Sequence, residues 1–369
     1  MTGAKRTGAE RGRVSDEPRP TDAGRVGGNR ELAGAEQEGE ERADSGTDGV
    51  RAGVERDEAT RRDSNALAAA AENPRARFLF VSGSRVAVEP GTERVLALSA
   101  GCVAPEARRR AVYLGLVDGA PYFACDVGDA DDSARDPRLV SRAIPAASRP
   151  AAVAEEDERA WSVSADFASV PLTSHLWPSV EAELAVEAVA ISNWIGGTRF
   201  CHRCGEPLSL RSGGWEMVCG RGHTVFPRVD PAVIMAVRDV EDRLLLARNG
   251  RWAPGRLSVL AGFVEAGEPL ESAVAREVLE ETGVVVDDVA YVTSQPWPFP
   301  RSLMLAFEGR TRARQEDVKV DGEELVFARF FSREEFSGAL ASGEIGLPTP
   351  TSVSARLIER WLGRPLADV

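Results

Sequence analysis

The chain has 369 residues, 43% of them apolar and 28% charged, which at roughly 100–200 residues per domain allows two to three domains with packed cores. Its 58 acidic and 45 basic side chains give a net charge of −13, which argues against a protein that coats nucleic acid or an anionic membrane with a basic surface. The sequence shows neither an apolar run of membrane-spanning length nor the apolar core of a secretory signal. We therefore expect a cytoplasmic protein.

Residues 1–77 are predicted to be a disordered tail. They contain no Phe, Trp, Tyr, Ile or Cys, and such a segment cannot bury enough apolar surface to offset the entropy that it loses on ordering. A role as an interaction tail is the functional alternative for this segment.

Residues 78–165 are expected to form a β-rich domain. Short apolar segments that are separated by turn residues such as Asp118 and Gly119 are typical of strands. The domain carries no histidine and no recognisable chemical motif, so the sequence assigns no chemistry to it. The predicted strands cover residues 95–98, 111–117 and 121–124.

Residues 166–199 are predicted to be a connecting region with one helix, because apolar side chains recur at helical spacing from Val180 to Ile195. Residues 230–369 then alternate between strand and helix patterns, which is typical of an α/β domain. The predicted strands cover residues 233–237, 244–247 and 303–307, and the predicted helices cover residues 269–282 and 352–362.

Residues 200–229 are expected to form a zinc-ribbon-like hairpin. The two-residue spacing of Cys201 and Cys204 lets both thiolates bind one tetrahedral zinc ion, and Cys219 supplies a third. His223 is the nearest candidate for a fourth ligand, because a glycine stands where a second Cys-x-x-Cys pair would end. His202 is a weaker candidate, and a hairpin without metal is the alternative. Five cysteines, an odd number, do not suggest a disulfide framework.

An acidic helix is the candidate catalytic metal centre. Glu277, Glu280 and Glu281 fall on one face. Glu277 and Glu281 lie beside Leu270 of the apolar stripe, so their carboxylates should point towards the protein interior. A solvated acidic face, the alternative, would place them on the opposite side of the helix. Buried carboxylates are costly unless they are paired or bind metal, and clustered oxygen ligands suit Mg²⁺ or Mn²⁺. Arg276, one turn before Glu280, can hold that carboxylate by an ion pair.

The pattern around this helix resembles the Nudix box. Residues 262–284 follow G-x5-E-x7-R-E-U-x-E-E-x-G-U, where U is apolar. The resemblance implies an α/β/α sandwich that binds two or three divalent cations and hydrolyses a nucleoside diphosphate linked to another group. It implies that Glu277 and Glu281 bind metal and that Glu280 helps to position water or metal. The backbone carbonyl of Ala261 is a further implied ligand.

A second motif resembles the signature of the NADH pyrophosphatases, also called NAD diphosphatases. Residues 294–302 read S-Q-P-W-P-F-P-R-S, and proline makes such a segment extended and stiff. A rigid loop that holds Trp297 and Phe299 suits stacking of a base, and a packed connector is the alternative. The domain order also resembles that family, as do residues 226–234 and 352–358, so the similarity covers residues 78–369.

This resemblance implies a set of substrate contacts and one more metal ligand, Glu324. Two departures from the family pattern are the missing fourth zinc cysteine and the long segment before Phe78. The implied substrate contacts are Phe226, Gln295, Pro296, Trp297, Pro298, Phe299, Pro300, Arg301, Ser302 and Ser354.

The implied activity is metal-dependent hydrolysis of the pyrophosphate of NAD(H) to nicotinamide mononucleotide and AMP. Mg²⁺ or Mn²⁺ would serve catalysis and zinc would be structural. Some relatives act on NAD-capped RNA, and family members are often homodimers. The alternatives are a Nudix hydrolase of another dinucleotide or ADP-ribose, and a non-catalytic nucleic-acid-binding module that uses the ribbon. The negative charge and the complete box weigh against the binding module.

Overall fold

The computed structural model describes residues 53–92, 94–128 and 166–369. The expectation of disorder for residues 1–52 lies outside these ranges, and so does the assignment of residues 129–165 to the β-rich domain. In the ranges that are described, every helix is too short or too polar to cross a membrane.

The expectation of disorder is wrong for residues 53–77. This segment forms helices α1 (Glu58–Arg62) and α2 (Ser64–Glu72) and the start of a strand. Val54 is buried, and the Tyr113 hydroxyl donates to Asp57 over 2.7 Å. The segment has few large apolar residues of its own, but it orders against the surface of the following domain, which its composition could not reveal.

The N-terminal domain is built on a mixed six-stranded sheet. Its strand order is β4-β5-β1-β2-β6, and β3 pairs with β1. Strands β1, β2 and β6 and the helix α3 were not predicted from the sequence. The elements are β1 (Arg77–Ser82), β2 (Arg85–Val88), β3 (Ala97–Ser99), α3 (Pro105–Arg110), β4 (Val112–Val117), β5 (Ala120–Asp126) and β6 (Asp166–Ser169).

The helix that was expected to connect two domains is part of the N-terminal domain. After the short helix α4 (Val170–Thr173), helix α5 (Ser179–Gly197) buries Leu184, Ala188 and Ile191 in one core with Leu79 and other residues of the sheet. Helical periodicity predicted the helix itself, but it cannot tell which surface an apolar stripe covers.

The ribbon, residues 200–229, is a separate three-stranded antiparallel sheet in the order β7-β8-β9. Its strands are β7 (Leu208–Arg211), β8 (Glu216–Cys219) and β9 (Thr224–Val225). The ribbon packs on the N-terminal domain, because the Trp215 indole donates to the Tyr113 carbonyl over 2.7 Å and Met217 lies in the same core as α5.

The C-terminal domain, residues 230–369, is an α/β/α sandwich, as the resemblance implied. Its sheet has the order β13-β14-β10-β11-β15, with β12 paired to β10. Alternate residues of β10 face opposite layers, since Val233 packs with α6 and Ile234 packs with α7 and α8. The elements are β10 (Asp230–Arg238), β11 (Leu244–Asn249), β12 (Leu260–Phe263), α6 (Leu270–Thr282), β13 (Asp287–Trp297), β14 (Ser302–Arg310), β15 (Leu325–Phe331), α7 (Arg333–Ala341) and α8 (Val353–Leu362).

Candidate active site

Helix α6 turns part of its acidic face towards the protein interior, as the helical wheel predicts. The helix follows Pro269 and ends at Gly283, whose φ of 70° is the left-handed conformation that glycine adopts without strain. Val278 is fully buried in the core of the sandwich, and Glu281 is only 6% exposed. Glu280 is exposed to solvent, so the carboxylates of the box differ sharply in environment.

Arg276 ties the helix to the loop before it. Its guanidinium donates to both oxygens of Glu268 at 2.8 and 2.9 Å, to Glu277 at 3.0 Å and to the Phe263 carbonyl at 2.9 Å. The predicted ion pair with Glu280 is present at 3.0 Å. These hydrogen bonds, those to Glu268 first, raise the pKa of Arg276, and the bonds from Arg276 lower the pKa of Glu268. The arginine thus fixes the loop and orients Glu277.

The first glycine of the box lets a carboxylate approach the sheet. A Cβ atom at Gly262 would lie 1.9 Å from Cδ of Glu277, so any larger residue would displace this side chain. Gly262 lies on β12 directly after Ala261, the residue whose backbone carbonyl is the implied metal ligand. The steric fit therefore brings Glu277 against the strand that carries the implied backbone ligand.

Glu281 lies among other carboxylates. Burial raises the pKa of Glu281 to about 8, and repulsion by Glu324, then Glu277 and Asp321, adds to the increase. Its Oε2 has no hydrogen-bond partner among the described residues. Burial is also the main cause that raises the pKa of Glu277. A buried, unpartnered oxygen that faces further carboxylates fits a divalent cation, which would remove both the desolvation cost and the repulsion.

Asp321 positions Glu324 and was not found from the sequence. Its carboxylate accepts from the backbone N–H groups of Glu324 at 3.0 Å and Leu325 at 2.8 Å, and these bonds lower the pKa of Asp321. Glu324 also accepts from the Asn249 side chain at 3.2 Å. The turn before β15 is therefore held so that Glu324 lies near Glu281.

A cavity of about 220 Å³, here called the catalytic cavity, adjoins these carboxylates. Ser354 lies in its wall at the start of α8 and shares a 2.6 Å hydrogen bond with Ser258. A group that binds here would therefore meet carboxylates as well as aromatic and polar side chains. The structure brings six of the predicted residues to this wall: Ala261, Glu281, Gln295, Trp297, Glu324 and Ser354.

Gln295 joins two parts of this wall. Its amide nitrogen donates to the Thr351 carbonyl over 2.6 Å, and its Oε1 accepts from the Val353 N–H over 2.7 Å. The side chain thus holds the start of α8, with Ser354, against the end of β13, with Trp297. Gln295 supports the shape of the cavity as well as lining it.

The other predicted substrate residues do not line the catalytic cavity. Phe226 is 66% exposed. Phe299 packs against the core of the N-terminal domain, with its ring edge-on to Trp297 at 5.1 Å between centroids. Arg301 pairs with Asp230 at 2.6 Å. Pro296 faces a neighbouring cavity, Pro298 is buried, and Pro300 and Ser302 belong to the turn and the start of β14.

Several residues of the site were missed by sequence reasoning. Trp252 and Arg256 line the catalytic cavity, with the guanidinium 5.4 Å from the indole centroid. Asn249 and Ser258 line it as well, and Phe263 is 60% exposed just after the first glycine of the box. An aromatic residue within a polar loop could have indicated Trp252, but no signal marked Ser258, which only folding brings to Ser354.

The ribbon contains the predicted metal-ligand cluster. One ligand atom from each of Cys201, Cys204, Cys219 and His223 lies within 4.8 Å of the others, so the group could hold a metal ion. The Cys204 and Cys219 sulfurs are 3.7 Å apart, and Cys201 Sγ is 3.5 Å from His223 Nδ1. His202 is exposed and does not belong to the cluster. Burial raises the pKa of Cys201, but backbone N–H donors outweigh it and lower the pKa to about 6.

Comparisons with known proteins agree with this architecture. Residues 228–348 match the NUDIX domain, and residues 74–194 match the NADH pyrophosphatase-like rudimentary NUDIX domain. The NAD-capped RNA hydrolase NudC of Mycobacterium bovis (strain BCG / Pasteur 1173P2) is 37% identical over 321 residues, which cover 84% of this chain and 93% of that protein. The NAD-capped RNA hydrolase NUDT12 of Macaca fascicularis is 38% identical over 195 residues, which cover 49% of this chain and 42% of that protein. The chain therefore belongs to the NADH pyrophosphatase family of the Nudix hydrolase superfamily.

Proposed function

We propose that this protein hydrolyses the pyrophosphate of NAD(H) to nicotinamide mononucleotide and AMP. The observation that carries the proposal is Oε2 of the buried Glu281, which has no hydrogen-bond partner in the described part of the chain and faces Glu277 and Glu324 beside a cavity with an aromatic wall. Carboxylates that can bind a cation lie next to a space that can hold a flat ring. A dinucleotide has a group for each, since its pyrophosphate binds the cation and its base is flat. NudC of Mycobacterium bovis, a relative that matches most of the chain, is named as a hydrolase of NAD-capped RNA.

The side chains of the site would fall into two groups, one that binds the cation and one that holds the base. Glu277, Glu281 and Glu324, with the Ala261 carbonyl, would hold Mg²⁺ or Mn²⁺, and Glu280 with Arg276 would support their arrangement. Such a cation supplies charge neutralisation for the pyrophosphate and makes a water molecule a better nucleophile near neutral pH. Trp297 offers a ring for base stacking, and Gln295 and Ser354 orient what lies against it.

The same site would accept the NAD cap of an RNA chain. Cleavage at the cap is the same reaction at the same bond, since the remaining nucleotides are attached away from the pyrophosphate. The names of the NudC and NUDT12 relatives support this extension.

We further propose that the cluster of Cys201, Cys204, Cys219 and His223 binds structural zinc, because three thiolates and one imidazole form a closed tetrahedral set. A homodimer stays a prediction of the family resemblance, and a cytoplasmic location stays a prediction of the sequence. Sedimentation of the purified protein would test the dimer.

A product assay tests the proposed function. The protein is incubated with Mg²⁺ or Mn²⁺ and, separately, NADH, NAD, ADP-ribose and NAD-capped RNA, and the products are separated by chromatography. Nicotinamide mononucleotide and AMP from NADH or NAD are the expected products. Faster turnover of ADP-ribose than of either dinucleotide would favour the alternative Nudix activity, and no hydrolysis of any substrate would contradict the proposal.

A further inference from the structure

A second cavity, of about 730 Å³, lies beside the catalytic cavity and has no role in the mechanism above. Arg56 and Arg61 from the segment before and within α1, Trp215 from the ribbon and Arg356 from α8 line it. Its wall also includes His175 and, from α5, the carboxylates of Glu183 and Glu187. Three parts of the protein therefore enclose a space that carries several cationic side chains.

The two cavities share a wall. Gln295 lines both, while Pro296 faces the second cavity and Trp297 the catalytic cavity, as the alternation of side chains along β13 requires. On α8, Ser354 and Arg356 are two residues apart and therefore point to opposite sides of the helix, Ser354 to the catalytic cavity and Arg356 to the second cavity. The end of β13 and the start of α8 therefore separate a ligand in the catalytic cavity from the second cavity.

The cations of the second cavity are not equally available. Arg56 forms ion pairs with Glu187 and, at 3.5 Å, with Glu183. The guanidinium of Arg61 lies 4.3 Å from the Trp215 ring centroid. The Arg356 side chain is exposed and has no ion-pair partner within the described ranges of the chain. Arg356 is thus the cation of this wall that is left for a ligand.

We propose that the second cavity binds the phosphodiester groups of the nucleotides that follow the cap in an RNA substrate, with Arg356 as their main contact. This inference rests on the proposed hydrolysis of NAD caps. A capped RNA carries nucleotides beyond the dinucleotide, and these must pass along a surface that adjoins the catalytic cavity. On a protein with a net charge of −13, a local arginine is needed to attract that backbone.

The test compares Arg356→Ala with the wild type on NADH and on NAD carrying one and four further nucleotides. We expect an unchanged kcat/KM for NADH and a loss of about 5- to 20-fold for the extended substrates, because one charged hydrogen bond is removed. The slope of log kcat/KM against log salt should also fall by about 0.7 for each lost phosphate contact. Arg356→Lys should retain part of the activity on the extended substrates.

Arg312→Ala is the matched control, since Arg312 is also an exposed arginine but lines neither cavity. An Arg356→Ala protein with normal activity on every substrate would overturn the inference, and so would an equal loss on NADH and RNA. Wild-type protein that cleaves NADH but not the extended substrates would also overturn it, while leaving NAD(H) hydrolysis intact. Failure of the wild type on NADH itself would instead count against the proposed function.

Discussion

At the scale of single residues, neighbouring carboxylates of one helix take different roles because the fold gives them different surroundings. Glu281 is buried and faces other acids, whereas Glu280, one residue earlier, is exposed and paired with Arg276. The same residue type therefore costs free energy at one position and little at the next. A fold tolerates a buried carboxylate of this kind where a bound cation offsets the free-energy cost.

Glu281→Gln keeps the size of the side chain and removes its charge. We expect the affinity for Mn²⁺ to fall and NADH hydrolysis to decrease by roughly 100-fold or more, because a carboxylate that binds the metal directly is lost. The melting temperature of the cation-free protein should not fall, since repulsion is relieved. Glu271→Gln, an exposed carboxylate in the first turn of the same helix, is the control. Near-normal turnover by folded Glu281→Gln protein would refute the assignment.

Glu187, which lies outside the candidate metal centre, should make the stability of the fold depend on pH. Burial raises the pKa of Glu187 from 4.5 to about 7, and the pairing with Arg56 opposes this only in part. Because the folded state holds the proton more tightly than the unfolded state, the contribution of this group to stability is complete below pH 4.5. It is lost as the pH rises to about 7, at a rate of at most about 1.4 kcal/mol per pH unit.

Glu187→Gln should remove that slope. Denaturant unfolding at pH 5 and at pH 8 should show that the variant gains stability relative to the wild type at the higher pH. Glu58→Gln, an exposed carboxylate paired with Arg62, should give the same difference at both pH values. Parallel pH profiles for wild type and Glu187→Gln would disprove the prediction.

At the scale of elements, the segment before the matched family domain works as part of that domain. Val54 contributes to the core, the backbone of Glu55 pairs with Leu116, and Arg61 stacks on Trp215 of the ribbon. At Gly115, a Cβ atom would lie 2.1 Å from the Glu55 carbonyl oxygen. The glycine therefore makes room for this added segment.

A chain that begins at residue 74, where the family match starts, should be less stable than one that begins at residue 53. The expected loss is roughly 3 kcal/mol or more, since a buried valine and several hydrogen bonds disappear. Urea unfolding of the two chains measures the difference. Equal midpoints would show that the segment contributes nothing to the fold.

The ribbon is expected to depend on its metal. Purified protein should contain about one zinc ion per chain, as one tetrahedral site requires. His223→Ala should weaken zinc retention during chelation, while His202→Ala, with an exposed side chain between Cys201 and Cys204, should not. Metal analysis after dialysis measures both. Full retention by His223→Ala would exclude this histidine as the fourth ligand, and protein without zinc but with a stable fold would favour the metal-free hairpin.

The elements that sequence patterns predicted are those that carry their own signals. Helix α6 has a proline before it, a glycine after it and a complete apolar stripe, and α8 has a similar stripe. The ribbon strands were predicted only as a hairpin, since short strands lack a strong apolar alternation, and β15 was missed because its apolar residues run almost continuously instead of alternating with polar ones. At the site, the box located Glu281, but Ser258 and Arg256 belong to a different loop that only the folded sheet brings there.

At the scale of the whole molecule, the N-terminal domain supports the β13–β14 hairpin of the C-terminal domain. Asn193 of α5 donates to the Pro298 carbonyl over 2.8 Å, and Phe299 packs against the core that α5 covers. The Thr351 hydroxyl donates to the Pro171 carbonyl over 2.8 Å, which ties the loop before α8 to the same domain. The two elements that form the cavity wall at Trp297, here called the Trp297 wall, are thus held by the N-terminal domain, whereas the carboxylates of the candidate metal centre lie in the C-terminal domain.

Asn193→Ala tests whether this support matters for substrate selection. Loss of the hydrogen bond should loosen the hairpin and lower kcat/KM for NADH by about 5- to 10-fold, which corresponds to roughly 1 kcal/mol. Mn²⁺ affinity should not change, because the carboxylates are held by α6 and the turn before β15. A simple pyrophosphate diester without a base should be less affected, since it does not use the Trp297 wall. Asn65→Ala, at an exposed position of α2, is the control, and equal losses on both substrates would mean that Asn193 stabilises the fold without positioning the substrate.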